Sequence, residues 1–388
     1  MATNEMATMN WRQRRQPSAA SSAAPLIVLG QPIDLERYSA EIHRNERPRH
    51  VLLDLARLTG GEVLSGDGLE SAVLDRILGG ILSSPQHWRI TREAIRRCDK
   101  DRFIYANGEA VGFPLLALGL VCGRRSRDLG FYVMTPRARR IRVWLRLIRW
   151  LRLQPILTTD SPANFEQLIN SVGPRCAQRA VLLRDPVDTD FFKPPTHHEN
   201  RARALVASAG RELRDYYTLA EAVQGLDADA VVCAMSPDAE DSSATMPTRV
   251  IDNLTFVALE MTQLRDLYCQ ADAVVVSVVN NDIDAGSTTA IEALACGRPL
   301  VVTDVGYLGL LAASGVAIGV AHSNPRLLQS AIHNLLEDPI LAAELGQRAR
   351  SFAVEHHSCD VWLTGLLDHL AVCAVTLARP ESSIAPVA

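Results

Sequence analysis

Lysine is nearly missing from this 388-residue chain: it occurs only at Lys100 and Lys193, every other cationic side chain apart from histidine being arginine, and no function follows from that bias. Neither GxGxxG nor GxxxxGK[ST] occurs, which removes the simple dinucleotide and P-loop assignments. The eight cysteines lie far apart with no CxxC pair, and residues 1–24 have no apolar signal core, so reduced thiols are expected rather than a disulfide framework or zinc site. Ten histidines form neither HExxH nor HxH, and no metal is expected. No apolar run reaches the roughly 18 residues that a membrane-spanning helix needs. With 47% hydrophobic and 22% charged residues and a formal net charge of -4, the composition is that of a soluble globular protein and does not call for nucleic acid.

What is present is length and alternation. A chain this long exceeds what one hydrophobic core usually serves, so two domains of roughly 150 to 200 residues, with a cleft between them, are expected. From Pro25 onward short apolar runs such as "LIVLG", "DRFIYA", "LGFYVMT" and "PILTTD" alternate with helical patterns, the mark of an α/β fold with a parallel sheet. The proline-rich segment "LLRDPVDTDFFKPPTHHENRARA" interrupts the pattern and reads as a linker. A second alternating series follows, from "ALVASAG" to "VAIGVA", and three helical stretches end the chain. The expected boundaries are a disordered tail at 1–24, a first domain at 25–182, a second at 183–357, a closing helix at 358–375 and a flexible tail at 376–388.

The most polar stretch of the second series is "NNDIDAGSTTAIEALACGRPLVVTDVG". It leaves the apolar run "AVVVSVV", which reads as a strand buried on both faces, and ligands of open parallel sheets bind where such strands end. Gly286 permits close backbone approach, and Ser287, Thr288 and Thr289 are N-cap residue types. The helix they open offers free N–H groups and a partial positive charge, suited to phosphate or diphosphate. Glu292, one turn in, can accept hydrogen bonds from vicinal hydroxyls such as those of a ribose, and Asp284 can meet hydroxyls elsewhere on the same ligand. The alternative is structural: Thr289 to Glu292 fits a T-x-x-E capping box, with Asp284 a solvated loop acid.

Three matches in order give the chain a resemblance to the retaining glycosyltransferases of family 4. "IEALACGRPLVVTDVG", with Asp284 and Glu292 eight positions apart, is similar to that family's paired-acid motif and its "EAMACGTPVV" run. "DPVDTDFFKP" is similar to "NGVDTDFFKP", and "SAGRELRDYYTLAEAV" resembles the stretch whose Gly-Arg pair and later lysine meet the donor diphosphate. The resemblance covers Asp185 to His357. It implies a GT-B architecture, two Rossmann-like α/β domains with parallel sheets facing a central cleft. It also implies a hexosyltransferase-type enzyme that moves a sugar from a nucleotide-diphosphate sugar to an acceptor hydroxyl with retention, without a metal or other cofactor. Carried over, Arg211 and Arg214 neutralise the leaving diphosphate, Gly210, Gly286, Ser287, Thr288 and Glu292 hold the donor, and Asp284 contacts the donor sugar. Arg214 stands where the family has lysine, Asp284 where it has glutamate, and Thr135 and Pro136 where its acceptor-domain histidine is found. The family's glycine pair near the first strand is replaced by "GQPIDLERYSAEIHRNERPRH".

The acceptor implied is a glycan, a lipid-linked molecule or a small molecule, in a setting such as cytoplasmic polysaccharide biosynthesis. Glu109, after a first-domain strand, is a candidate acceptor-side acid or base, with an ordinary loop carboxylate the competing reading. In "RRIRVWLRLIRWLRLQP" (Arg139 to Pro155), Arg139, Arg142, Arg146, Arg149 and Arg152 gather on one side of a helix. Ile141, Trp144, Leu147, Ile148 and Leu151 gather on the other. Such a helix fits either a domain surface with its arginines in water or peripheral contact with an anionic membrane on the cytoplasmic side. Two other functions stay open: a degenerate GT-B protein that binds nucleotide or glycan without transfer, and a sugar-nucleotide epimerase.

Overall fold

A computed structural model describes residues 24–66, 68–79, 83–196, 201–234, 245–281 and 284–375. The expected tails at 1–24 and 376–388 lie outside these, apart from Ala24. Among the described residues twelve strands make two six-stranded sheets, parallel throughout.

The first unit runs β1 (Leu26–Val28), α1 (Leu35–His43), α2 (Val51–Thr59), β2 (Glu62–Leu64), α3 (Val73–Gly79), α4 (Pro85–Arg97), β3 (Ile104–Ala106) and α5 (Glu109–Val121). It continues with β4 (Leu129–Tyr132), α6 (Arg139–Trp150), β5 (Ile156–Thr159), α7 (Pro162–Val172), α8 (Pro174–Ala177) and β6 (Ala180–Leu182), and the sheet order is β2-β1-β3-β4-β5-β6. The apolar runs become strands because helices cover both faces: β1, β3 and β5 are buried at every position. Helix starts follow their caps. Ser84, Ser161 and Asp34 each accept an N–H from the first turn, and Pro85 and Pro162 occupy the first helical position.

The second unit runs β7 (Ala204–Ala209), α9 (Tyr216–Val223), β8 (Ala228–Cys233), β9 (Leu254–Val257), α10 (Met261–Gln270), β10 (Ala273–Val276) and α11 (Ser287–Ala295). After these come β11 (Leu300–Thr303), α12 (Gly306–Ala313), β12 (Ile318–Val320), α13 (Pro325–Glu337), α14 (Pro339–His357) and α15 (Cys359–Val372), with sheet order β12-β11-β10-β7-β8-β9.

Two chain segments join the units, and they are zipped to each other. Val187 N–H donates to His357 O (2.7 Å) and Cys359 N–H to Val187 O (3.2 Å). On the outbound segment Phe191 and Phe192 are buried in the core of the second unit. On the return segment α15 buries Leu363, Leu366 and Leu370 with Leu52 and Leu55 of α2 and Ile27 and Leu29 of the first unit. His357 is locked between these parts. A carbonyl only accepts, so Nδ1–H donates to Asp185 O (2.8 Å), and Nε2 therefore accepts from Tyr307 Oη (2.6 Å). Burial pushes the His357 pKa down to about 4, so the imidazole is neutral at pH 7.

Candidate active site

In the second sheet β7 lies between β8 and β10, so the chain leaving β7 and the chain leaving β10 turn away from each other and open a crevice at the strand ends. The segments singled out in the sequence, 210–214 and 284–292, are the two lips of that crevice. Gly210 follows β7 with φ +103, and a Cβ there would collide with the Arg214 guanidinium. The missing side chain lets Arg214 fold back under the turn, where it is 5% exposed. Its Nε donates to Ala209 O (2.8 Å), Nη1 to Glu212 O (2.9 Å) and Nη2 to Thr289 Oγ1 (3.0 Å). Arg214 thus ties one lip to the other. Arg211 sits half-buried in the same turn.

Gly286 opens α11 with φ +98, and a Cβ there would stand 2.7 Å from Val276 Cγ1. Among the described residues no side chain caps this helix; Ser287 N–H donates to Asp284 O (3.2 Å), and the helix start keeps its partial positive charge toward the crevice. The capping box is not made. Thr289 Oγ1 accepts from Arg214, and Glu292 Oε2 accepts from Tyr268 Oη at 3.2 Å. Burial pushes the Glu292 pKa up to about 7, against the opposing pull of the Tyr268 hydrogen bond and the Arg214 charge. Thr288 and Glu292 line a cavity of about 170 Å³ together with Pro48 and Arg49 of the first unit and Asp185 and Phe192 of the outbound segment.

Asp284 has φ +54, a left-handed conformation that Asp tolerates, and its Oδ1 accepts the Tyr307 N–H (2.8 Å) in the first turn of α12. It is half-buried and holds the start of the next helix. Beside it stand two acids that the sequence reading left out. Asp185 Oδ2 accepts from Ser287 Oγ (3.0 Å), and Asp160, the first residue after β5, accepts from Tyr132 Oη. Burial, reinforced by Asp160, pushes the Asp185 pKa up to about 6, while Asp160 is raised by burial with Asp284 adding to it. Asp160 comes from the first unit, Asp185 from the linker and Asp284 from the second, so three carboxyls meet across the cleft. The available signal was positional: Asp160 directly follows an apolar strand, at the edge where ligands bind. Glu109 is occupied otherwise, accepting from Met134 N (3.0 Å), Thr135 N (3.1 Å) and Thr135 Oγ1 (2.5 Å) as a brace for the loop after β4.

Residues 247–352 match the family model described as glycosyl transferases group 1. No curated protein matches the sequence. Among solved structures, Anabaena HepE in complex with UDP and glucose is 14% identical with a TM-score of 0.61, over 90% of this chain and 100% of that one. Sucrose-phosphate synthase from Thermosynechococcus elongatus is 16% identical with a TM-score of 0.65, over 91% and 100%. A UDP-forming α,α-trehalose-phosphate synthase from Burkholderia vietnamiensis is 13% identical with a TM-score of 0.62, over 90% and 98%. The chain has the GT-B fold.

Within this GT-B frame the matched segment runs from just before β9 into α14 and contains Asp284, Gly286 and Glu292. Among the described residues no group of three or more His, Cys, Asp or Glu side chains is arranged to hold a metal ion. None of the described helices is long and apolar enough to cross a membrane.

Proposed function

We propose that this protein is a retaining glycosyltransferase of the family 4 type, which moves a hexosyl group from a nucleotide-diphosphate sugar to an acceptor hydroxyl without a metal. The observation that carries this reading is the uncapped N-terminus of α11 beside Arg214 and Glu292 at the switch point of the second sheet. In this reading the donor diphosphate lies against the N–H groups at Gly286, Ser287 and Thr288, with Gly210 and Arg211 closing the other lip. Arg214 supplies positive charge from beneath. Glu292 accepts the ribose hydroxyls inside the cavity it lines, and Asp284 meets the donor sugar. The acceptor hydroxyl attacks the anomeric carbon on the face from which the diphosphate departs. The C–O bond to phosphate breaks as the new glycosidic bond forms, and a departing phosphate oxygen takes the acceptor proton. The protein then contributes orientation and preorganised positive charge rather than a nucleophile.

The test is sugar transfer by Glu292→Ala and Arg211→Ala, which are expected to lose about tenfold or more in rate while keeping the wild-type fold. Wild-type rates in both variants overturn the assignment. A second reading, binding without transfer, is favoured by Arg214 and Asp284, because Arg214 already spends its hydrogen bonds on its own turn and on Thr289, and Asp284 accepts from Tyr307. Donor binding with no transfer to any acceptor of a broad panel would decide for it.

The acceptor side carries one surface of its own. On α6 the residues Ile141, Leu145 and Ile148 are buried, whereas Arg139, Arg140, Arg142 and Arg146 are exposed and border a shallow cavity of about 410 Å³. Among the described residues none of these four arginines forms an ion pair with an acid. The helix ends at Trp150, so Arg152 lies beyond the arginine face on which the sequence placed it, while Val143 and Trp150 remain exposed. Exposed arginines flanked by exposed apolar side chains support contact with the anionic cytoplasmic face of a membrane and hence a lipid-linked acceptor.

A further inference from the structure

Arg49 stands immediately before α2, where the first unit meets both crossing segments, and it faces four carboxylates. Its backbone N–H donates to Asp188 Oδ2 (2.8 Å) and its Nε to Asp188 Oδ1 (3.4 Å). Nη1 is 3.6 Å from Asp54 Oδ2 and 3.5 Å from Asp360 Oδ1, and Nη2 is 3.8 Å from Asp190 Oδ2. These acids belong to different parts of the molecule: Asp54 to α2, Asp188 and Asp190 to the outbound segment, and Asp360 to the first turn of α15 on the return segment. Asp188 is 5% exposed and also accepts the N–H groups of Asp190 and Phe191, so it shapes the turn that seats Phe191 and Phe192 in the second unit. Asp54 Oδ2 is buried without a hydrogen-bond partner, and its charge is balanced by Arg49 and Arg57.

Arg49 also lines the 170 Å³ cavity, together with Thr288 and Glu292. One residue therefore borders this cavity and also bonds to both interdomain crossings. We propose that Arg49 is a positioning residue that sets the spacing of the two domains and thereby the fit of the nucleotide cavity. The proposal rests on the transferase reading for the identity of the ligand but not for the latch itself. The physical reason is charge balance. With Arg49 in place, acids on α2 and on both crossings are drawn to one point; without it the same acids repel, and the contact between the first unit and the crossings loosens. Arg49 has no part in bond making, so its loss acts on binding and leaves the chemical step intact.

The experiment uses the full chain with Arg49→Ala and Arg49→Lys. Small-angle scattering of the free protein reads the spacing of the domains without any ligand, and calorimetry reads binding of UDP, GDP or ADP, whichever the wild type takes. The expected result is a larger radius of gyration for the alanine variant, nucleotide binding weakened by about tenfold, and an intermediate lysine variant, because an ammonium keeps the charge without the planar fork. In transfer assays KM for the donor rises while kcat stays within about twofold. An alanine variant that is folded, has the wild-type radius of gyration and binds nucleotide normally overturns the latch. So does a fall in kcat with KM unchanged. If the alanine variant does not fold, the lysine variant decides by the same two readings. If the wild type binds none of the three nucleotides, the transferase reading fails, and the scattering comparison alone decides on Arg49.

Discussion

Glu292 is a carboxyl whose two protonation states treat a ribose differently. Ionised, it accepts from both hydroxyls of a vicinal diol; protonated, it must place a hydrogen of its own in the same space. Its pKa near 7, raised by burial from a usual 4.5, puts that change inside the working range. Because the folded value is raised, the carboxylate form predominates only above about pH 7 and is lost as pH falls below it. Binding of a nucleotide-diphosphate sugar is therefore expected to strengthen between pH 6 and pH 8, by about tenfold at most for one group. The Tyr268 hydroxyl lowers this pKa through its hydrogen bond, so Tyr268→Phe should move the midpoint to higher pH and recover its affinity there. Calorimetry across pH checks this; an affinity loss in Tyr268→Phe that is the same at every pH contradicts it. The sequence leaves Glu292 two readings, a ribose contact or a capping box. The capping box is not formed, because Thr289 lies against Arg214 and Glu292 accepts from Tyr268 on a neighbouring helix, placements that no local spacing encodes.

Elements were legible where burial is two-sided. The runs that became β7, β10 and β11 are apolar at nearly every position because helices cover both faces of the sheet, and the sequence shows them directly. Several helices, α1, α3 and α4 among them, are less legible in the sequence. In α4 the core face of Trp88, Ile90, Thr91 and Ala94 is interleaved with arginines, although Ser84 and Pro85 mark its start clearly. Helix α6 was visible in the sequence, and its arginine face makes a prediction at this scale. The protein should bind vesicles containing anionic phospholipid and release at high salt. Replacing Arg139, Arg142 and Arg146 together by alanine should weaken binding by about 3 kcal/mol, roughly a hundredfold, at about 1 kcal/mol per charge near the surface. Cosedimentation measures this; equal binding to neutral vesicles, or to anionic vesicles by the triple variant, contradicts it.

At the scale of the whole molecule the two parallel sheets and the proline-rich passage between them were readable, because each follows from local composition. The convergence of Asp160, Asp185 and Asp284 was not, since it arises only when the two units and the linker meet; Ser287 and Asp185, which bond directly, are 102 positions apart in sequence. The Arg49 contacts are hidden for the same reason, its partner Asp360 lying 311 positions away. The crevice between the lips at Gly210 and Gly286 is proposed to receive a nucleotide diphosphate. This proposal is tested most directly by thermal denaturation of the wild type and Glu292→Ala with UDP, GDP, ADP and their sugar conjugates. One base series is expected to raise the wild-type melting temperature by several degrees, about 3 kcal/mol of linkage at a hundredfold excess over Kd, and Glu292→Ala to lose most of that rise. No shift with any nucleotide, or an equal shift in the variant, would contradict it.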